Sequence, residues 1–279
     1  MRSLASFLKL FGLASLLAFL TCNALAQSAQ PTSGVLARVL MVQSQYVSGS
    51  IFSIDVDNRE YWITAKHILT GAKHPPYGSI ASKSVSLKIL NPGAEGEQWM
   101  SVVFSVIDPG NDVDIVVLAP PGPLMDGPFQ SIAVSSDNIG LGNDCEFLGF
   151  PFGGGWRAKF DNGKSYWMPF IKHCVTSAFN TEPQRMWVLD GINNDGFSGG
   201  PVIYHTGPQQ QIFAVISGVR QEPAEVIFGN SEDNLGKLNP PASQKATVNV
   251  NSGFIIAYDI KYATDAIAAN PIGPLRIPK

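Results

Sequence analysis

Gly196-Phe197-Ser198-Gly199-Gly200-Pro201-Val202-Ile203-Tyr204 is the stretch on which the fold turns. Three glycines and a proline between Gly196 and Pro201 favour a tight turn, since glycine reaches positive φ without strain and lets other backbone come close. Val202-Ile203-Tyr204 is β-branched and aromatic, so the chain leaves the serine turn as a strand rather than a helix. Working outward, runs of the same character recur at 35–42, 50–54, 61–64, 84–90, 101–107 and 114–118, then at 144–150, 167–178, 185–189, 211–219 and 253–258. Turn residues such as Asn91-Pro92-Gly93 separate them. Short strands at this spacing predict an all-β chain, an antiparallel sandwich or barrel rather than alternating βαβ units. Residues 260–269 close the pattern as a short helix, with Ile260, Ala263, Thr264 and Ile267 at helical spacing.

The strand series has a break in it. Residues 119–128 carry Pro120, Pro121, Pro123 and Pro128, which remove backbone donors and restrict φ, so 121–128 reads as a linker between an N-terminal half (34–120) and a C-terminal half (129–269). Residues 150–164 and 222–247 read as surface loops, the first with a two-residue hairpin turn at Asn162-Gly163. At the N-terminus, Arg2 and Lys9 precede an apolar run from Leu10 to Leu20, and Ala24-Leu25-Ala26 offers a small-x-small cleavage site before Gln27. That is the pattern of a removable secretory signal over 1–26. Its apolar run is about half of the ~20 residues a spanning helix needs. The expected location is therefore extracellular or periplasmic, with no stable membrane insertion.

The formal charge of −3 argues against nucleic-acid binding, and it becomes more acidic once Arg2 and Lys9 leave with the signal. Cys145 and Cys174 survive processing into an oxidising compartment, where they can form a disulfide or stay as two buried thiols. Two cysteines without paired spacing do not make a zinc site, and no metal or organic cofactor is expected. Gly163-Lys164-Ser165 imitates the end of a phosphate-binding loop, but Ala158 stands where that loop needs glycine. Oligomeric state is not legible.

A histidine, an aspartate and a serine occur in three notable settings: Trp62-Ile63-Thr64-Ala65-Lys66-His67, Asp112-Val113-Asp114-Ile115-Val116-Val117-Leu118, and the Ser198 turn. A serine hydroxyl is a poor nucleophile at neutral pH. Acyl transfer needs a base within hydrogen-bond reach, a carboxylate to orient that base, and backbone N–H groups aimed at the developing oxyanion. His67, Asp114 and Ser198 are the candidates for base, acid and nucleophile, with the N–H groups of Gly196 and Ser198 as oxyanion donors.

Read jointly, these segments resemble the trypsin-like, chymotrypsin-fold serine peptidases of the bacterial secreted type. The resemblance spans roughly residues 34–269. It implies two antiparallel six-stranded β-barrels with the site between them and a protein or peptide substrate. Ser217-Gly218-Val219 resembles the strand that pairs with substrate backbone, and Ile192 falls where relatives form the base of the primary pocket, which implies a preference for apolar or small side chains. The chain departs from the pattern at Lys66, where a small residue is usual, and at Phe197, where an acid or asparagine often precedes the serine. With no acid there, a newly formed N-terminal amine has no partner, and no zymogen switch of that kind is expected.

Two rivals remain at this level. Gly196-Phe197-Ser198-Gly199-Gly200 also satisfies the G-x-S-x-G elbow of a secreted serine esterase, but that elbow leads into a helix and is followed by acid and then histidine. Here only His205 follows the serine, and it lies too close. The other rival is a catalytically silent barrel acting as a binding protein.

Overall fold

The computed structural model describes residues 31–91, 97–110, 112–125, 132–159, 165–207, 209–226 and 247–276. The expected secretory signal, the end of the expected linker, the expected turn at Asn162-Gly163 and most of the expected 222–247 loop lie outside the described residues.

Six strands come first: β1 Val39–Gln43, β2 Ser48–Val56, β3 Arg59–Thr64, β4 Ser84–Leu90, β5 Trp99–Ile107 and β6 Val116–Ala119. They close into one barrel in the order β1-β2-β3-β6-β5-β4. Nine more follow: β7 Ala133–Val134, β8 Asp144–Gly149, β9 Trp156–Lys159, β10 Ser165–Met168, β11 Phe170–Asn180, β12 Met186–Asp190, β13 Pro201–Thr206, β14 Gln209–Glu225 and β15 Thr247–Asp259. Strands β9 and β10 form a hairpin of their own. The others make a sheet ordered β13-β8-β11-β12-β15-β14-β7, and a further pairing of β13 with β14 closes six of its strands into a second ring. Strand β7 is additional and pairs in parallel with β14 at Gln211 and Ile212.

Alternation along the strands divides the apolar residues among three layers. Leu40, Val42, Ile51, Trp62, Leu87, Phe104, Val116 and Leu118 fill the first barrel. Phe147, Trp187, Leu189, Phe197, Val202, Phe213, Ile216 and Ile255 fill the second. The alternate residues of the same strands, among them Met41, Phe52, Ile63, Val117, Leu148, Ile203, Val215 and Tyr258, join a third cluster. This explains why β6 is buried at all four positions while β4 and β5, with one face to water, alternate.

Local expectations needed three corrections. Residues 35–42 are not one strand: a short helix, Ser33–Ala37, turns through Arg38 N–H to the Val35 carbonyl at 3.0 Å and buries Val35 before β1 begins. Residues 167–178 split into β10 and β11 at Pro169, which has no N–H for the ladder. The ribbon of β14 and β15 extends through Glu225 and Thr247, which converts both ends of the expected loop into strand. The C-terminal helix runs Lys261–Ala269, and the chain after it lies along β3, where Glu60 N–H donates to the Pro274 carbonyl at 3.0 Å.

Candidate active site

His67 stands in a one-turn helix, Lys66–Thr70, that begins directly after β3 and ends at Gly71 in the left-handed region. Its ring Nδ1 lies 2.7 Å from Asp114 Oδ2, and its backbone N–H donates to Asp114 Oδ1 at 2.8 Å. Asp114, just ahead of β6, is fully buried, and its Oδ2 also accepts the Ser217 hydroxyl. A buried carboxylate held by three donors fixes the imidazole with Nδ1 protonated, leaving Nε2 as the basic nitrogen. His67 Nε2 has no hydrogen-bond partner among the described residues, and the side chain is 13% exposed.

The Ser198 hydroxyl donates to the Ser217 carbonyl at 3.1 Å. Ser217 therefore links the other two groups, with its carbonyl on the serine and its hydroxyl on the acid. No hydrogen bond joins Ser198 to His67 in this state. Catalytic hydrogen bonds in a ligand-free protein often form only when substrate is bound.

The glycines of the turn are demanded by close approach. Gly196 has φ +102°, and a Cβ there would fall 2.2 Å from the Phe150 carbonyl oxygen. At Gly199, φ is +82° and a Cβ would lie 2.2 Å from both the Ser50 carbonyl and Thr64 Oγ1. The turn is also tied to the first barrel. Ser50 N–H donates to the Ser198 carbonyl at 2.8 Å, Ser50 Oγ donates to the Gly196 carbonyl at 2.7 Å and accepts from Phe150 N–H at 3.0 Å, and Thr64 Oγ1 donates to the Ser50 carbonyl at 2.7 Å. Neither the Gly196 nor the Ser198 N–H has an acceptor among the described residues, so both remain available to an external oxyanion.

Phe197 fills the second barrel, edge-on to Phe147 with ring centroids 4.9 Å apart. Lys66 is fully buried and pairs with Asp108 and the Gly110 carbonyl. Tyr77 and Tyr258 are buried edge to face at 6.1 Å, and burial raises both phenols above the ordinary tyrosine value. Gly218 and Val219 are half-exposed on β14, while Ile192 is 65% exposed. Cys145 and Cys174 stand opposite each other on β8 and β11, their Cα atoms 4.9 Å apart and their sulfurs bonded. Among the described residues no group of three or more His, Cys, Asp or Glu could hold a metal, and no helix is long and apolar enough to cross a membrane.

Sequence reasoning did not find Ser50, Thr64 or Lys172, and it took Ser217 only for its backbone. Nothing local marks Ser50 as a partner of a turn so remote in sequence.

No protein-family model and no curated protein matches the chain. Solved structures do. The HtrA-type protease AlgW with a tripeptide is 16% identical at a TM-score of 0.50, over 85% of this chain and 61% of that one. The Rv3671c protease from M. tuberculosis in its active form is 15% identical (TM-score 0.48, 85% and 82% of the two chains). The serine endoprotease from Yersinia pestis is 15% identical (TM-score 0.47, 86% and 67%). The chain thus spans less than two thirds of AlgW. The AlgW match and the two six-stranded rings together make this the chymotrypsin fold.

Proposed function

We propose that this chain is a secreted serine endopeptidase. The observation that carries the reading is the buried Asp114 carboxylate 2.7 Å from His67 Nδ1, linked through Ser217 to the Ser198 hydroxyl beside two unpaired backbone donors. On substrate binding the Ser198 hydroxyl turns from the Ser217 carbonyl to His67 Nε2 and attacks the scissile carbonyl as its proton passes to the imidazole. Asp114 stabilises the imidazolium without taking the proton. The Gly196 and Ser198 N–H groups receive the oxyanion. The imidazolium then protonates the leaving amine, and an acyl-Ser198 ester remains. Water deprotonated by His67 hydrolyses that ester and regenerates the serine.

Ser217-Gly218-Val219 would pair with the substrate backbone, and the apolar Ile192 favours apolar or small side chains before the scissile bond. The leader over 1–26 and the Cys145–Cys174 pair support secretion. N-terminal sequencing of exported protein should begin at Gln27.

The test is fluorophosphonate labelling of residues 27–279, with mass spectrometry to locate the adduct and His67→Ala as control. Labelling at Ser198 that depends on His67 is the expected result. Folded protein that stays unlabelled would overturn the reading in favour of a silent barrel.

A further inference from the structure

Gly191 to Asp195, which delivers the chain to the Ser198 turn, has no strand partner along its length. It is held at discrete points. Gly191 N–H donates to the Gly253 carbonyl at 2.9 Å, and Asn251 Nδ2 donates to the Asn193 carbonyl at 2.6 Å. The Asp195 carbonyl accepts Phe152 N–H at 2.6 Å. A further side-chain hold comes from Lys172, near the start of β11. Its ammonium donates to the Ile192 carbonyl at 2.7 Å and to Asn194 Oδ1, and sits 5.4 Å from the centroid of the Phe197 ring.

An ammonium has three donors. Two go to acceptors in this segment, and the nitrogen lies within the ~6 Å of the Phe197 centroid over which a cation and a ring attract. The ammonium is thus engaged chiefly by this segment rather than standing free. Its contacts bracket the oxyanion turn: Ile192 and Asn194 precede Gly196, and Phe197 separates the two residues whose N–H groups face out. Asn194 is itself bound into the turn, its carbonyl accepting Phe197 N–H at 3.3 Å. Charge-assisted bonds of this kind are roughly twice as strong as neutral ones. With Phe197 in place of an acid, the charge beside this turn is supplied from β11.

We propose that Lys172 is a positioning residue that orders the oxyanion turn by clamping Ile192, Asn194 and the face of Phe197. Its effect on the turn stands on the geometry alone, whereas its effect on reactivity rests on the peptidase reading.

Two readouts separate these. Hydrogen–deuterium exchange of peptides spanning 190–200 should quicken at least tenfold in Lys172→Met, and by less in Lys172→Arg, which keeps a cation. The melting temperature should stay within a few degrees of wild type. Asn194→Ala, which removes one acceptor of the clamp, should loosen the same peptides and serves if Lys172→Met does not fold. Unchanged exchange in a folded variant overturns the proposal whether or not the protein is an enzyme. In labelling, the rate at Ser198 should fall at least tenfold in Lys172→Met and recover in part in Lys172→Arg. Wild type that never labels would count against the peptidase reading alone, and equal labelling of wild type and Lys172→Met would count against the clamp's catalytic role.

Discussion

Ser50→Ala should be among the most damaging single-atom deletions in this protein. Ser50 is fully buried on β2, and its hydroxyl serves two groups of the opposite barrel at once, donating to the Gly196 carbonyl at 2.7 Å and accepting from Phe150 N–H at 3.0 Å. Alanine keeps the backbone bond from residue 50 to the Ser198 carbonyl but strands both other partners in the interior. A buried polar group left unpaired costs about 1–3 kcal/mol, so two such groups predict a loss of about 2–6 kcal/mol. That is a large share of the roughly 5–15 kcal/mol that separates folded from unfolded states. For a chain of this size each kcal/mol moves the melting temperature by about 2–4 °C, so the expected drop is roughly 4–24 °C. The assay is urea and thermal unfolding of Ser50→Ala beside Ser48→Ala, whose side chain is exposed and whose change should stay within about 0.5 kcal/mol. Because the lost bond anchors Gly196, Ser198 labelling should slow as well. Equal stability of the two variants would refute the claim that Ser50 ties the barrels together at the site.

Asp114→Asn should leave the fold intact and reduce peptide hydrolysis by about 10⁴, as an orienting acid does when its charge is lost, while Asp112→Asn should retain activity; the reverse result in a kinetic assay would move the acid to Asp112. Lys66 and Asp108 should respond unequally, because Lys66 is fully buried whereas Asp108 is 22% exposed. Asp108→Asn leaves a buried ammonium without its counter-charge and should cost about 3–5 kcal/mol, whereas Lys66→Met leaves a carboxylate that can reach water and should cost less; urea midpoints in the opposite order would contradict the burial argument. Tyr77 and Tyr258 set an alkaline limit. Burial raises both phenols in the folded state, so the unfolded chain loses these protons first and stability is complete below about pH 10 and falls above it, by up to about 1.4 kcal/mol per pH unit for each tyrosine. Denaturation at pH 9 and 11 should show the decline in wild type and a shallower one in Tyr258→Phe; equal slopes would rule out these phenols as its source.

The amino-acid sequence by itself determined the all-β character, because strand periodicity and turn chemistry are local and leave a trace every few residues. It also marked the Gly196–Pro201 stretch as a tight turn by its glycines, and it singled out the His67, Asp114 and Ser198 segments by their settings; that Gly196 and Gly199 must be glycine follows only from the folded turn, where both adopt positive φ against residues remote in sequence. Tertiary structure decided what depends on distance through space. Asp55, Asp108, Asp112 and Asp114 look alike as residues; only folding buries Asp114 against His67, 47 positions away. The pairing of β13 with β14 that closes the second ring, the register that sets Cys145 opposite Cys174, and the Ser50 bond to Gly196 across 146 positions are likewise decided by sheet closure. Lys172 is the plainest case. In sequence it is an ordinary lysine at a half-exposed strand position, and its ammonium gains a role only because β11 runs beside the segment that delivers Ser198 to the site. Local propensity records how each segment prefers to fold, but hydrogen bonds between segments far apart in the chain exist only once both barrels have closed.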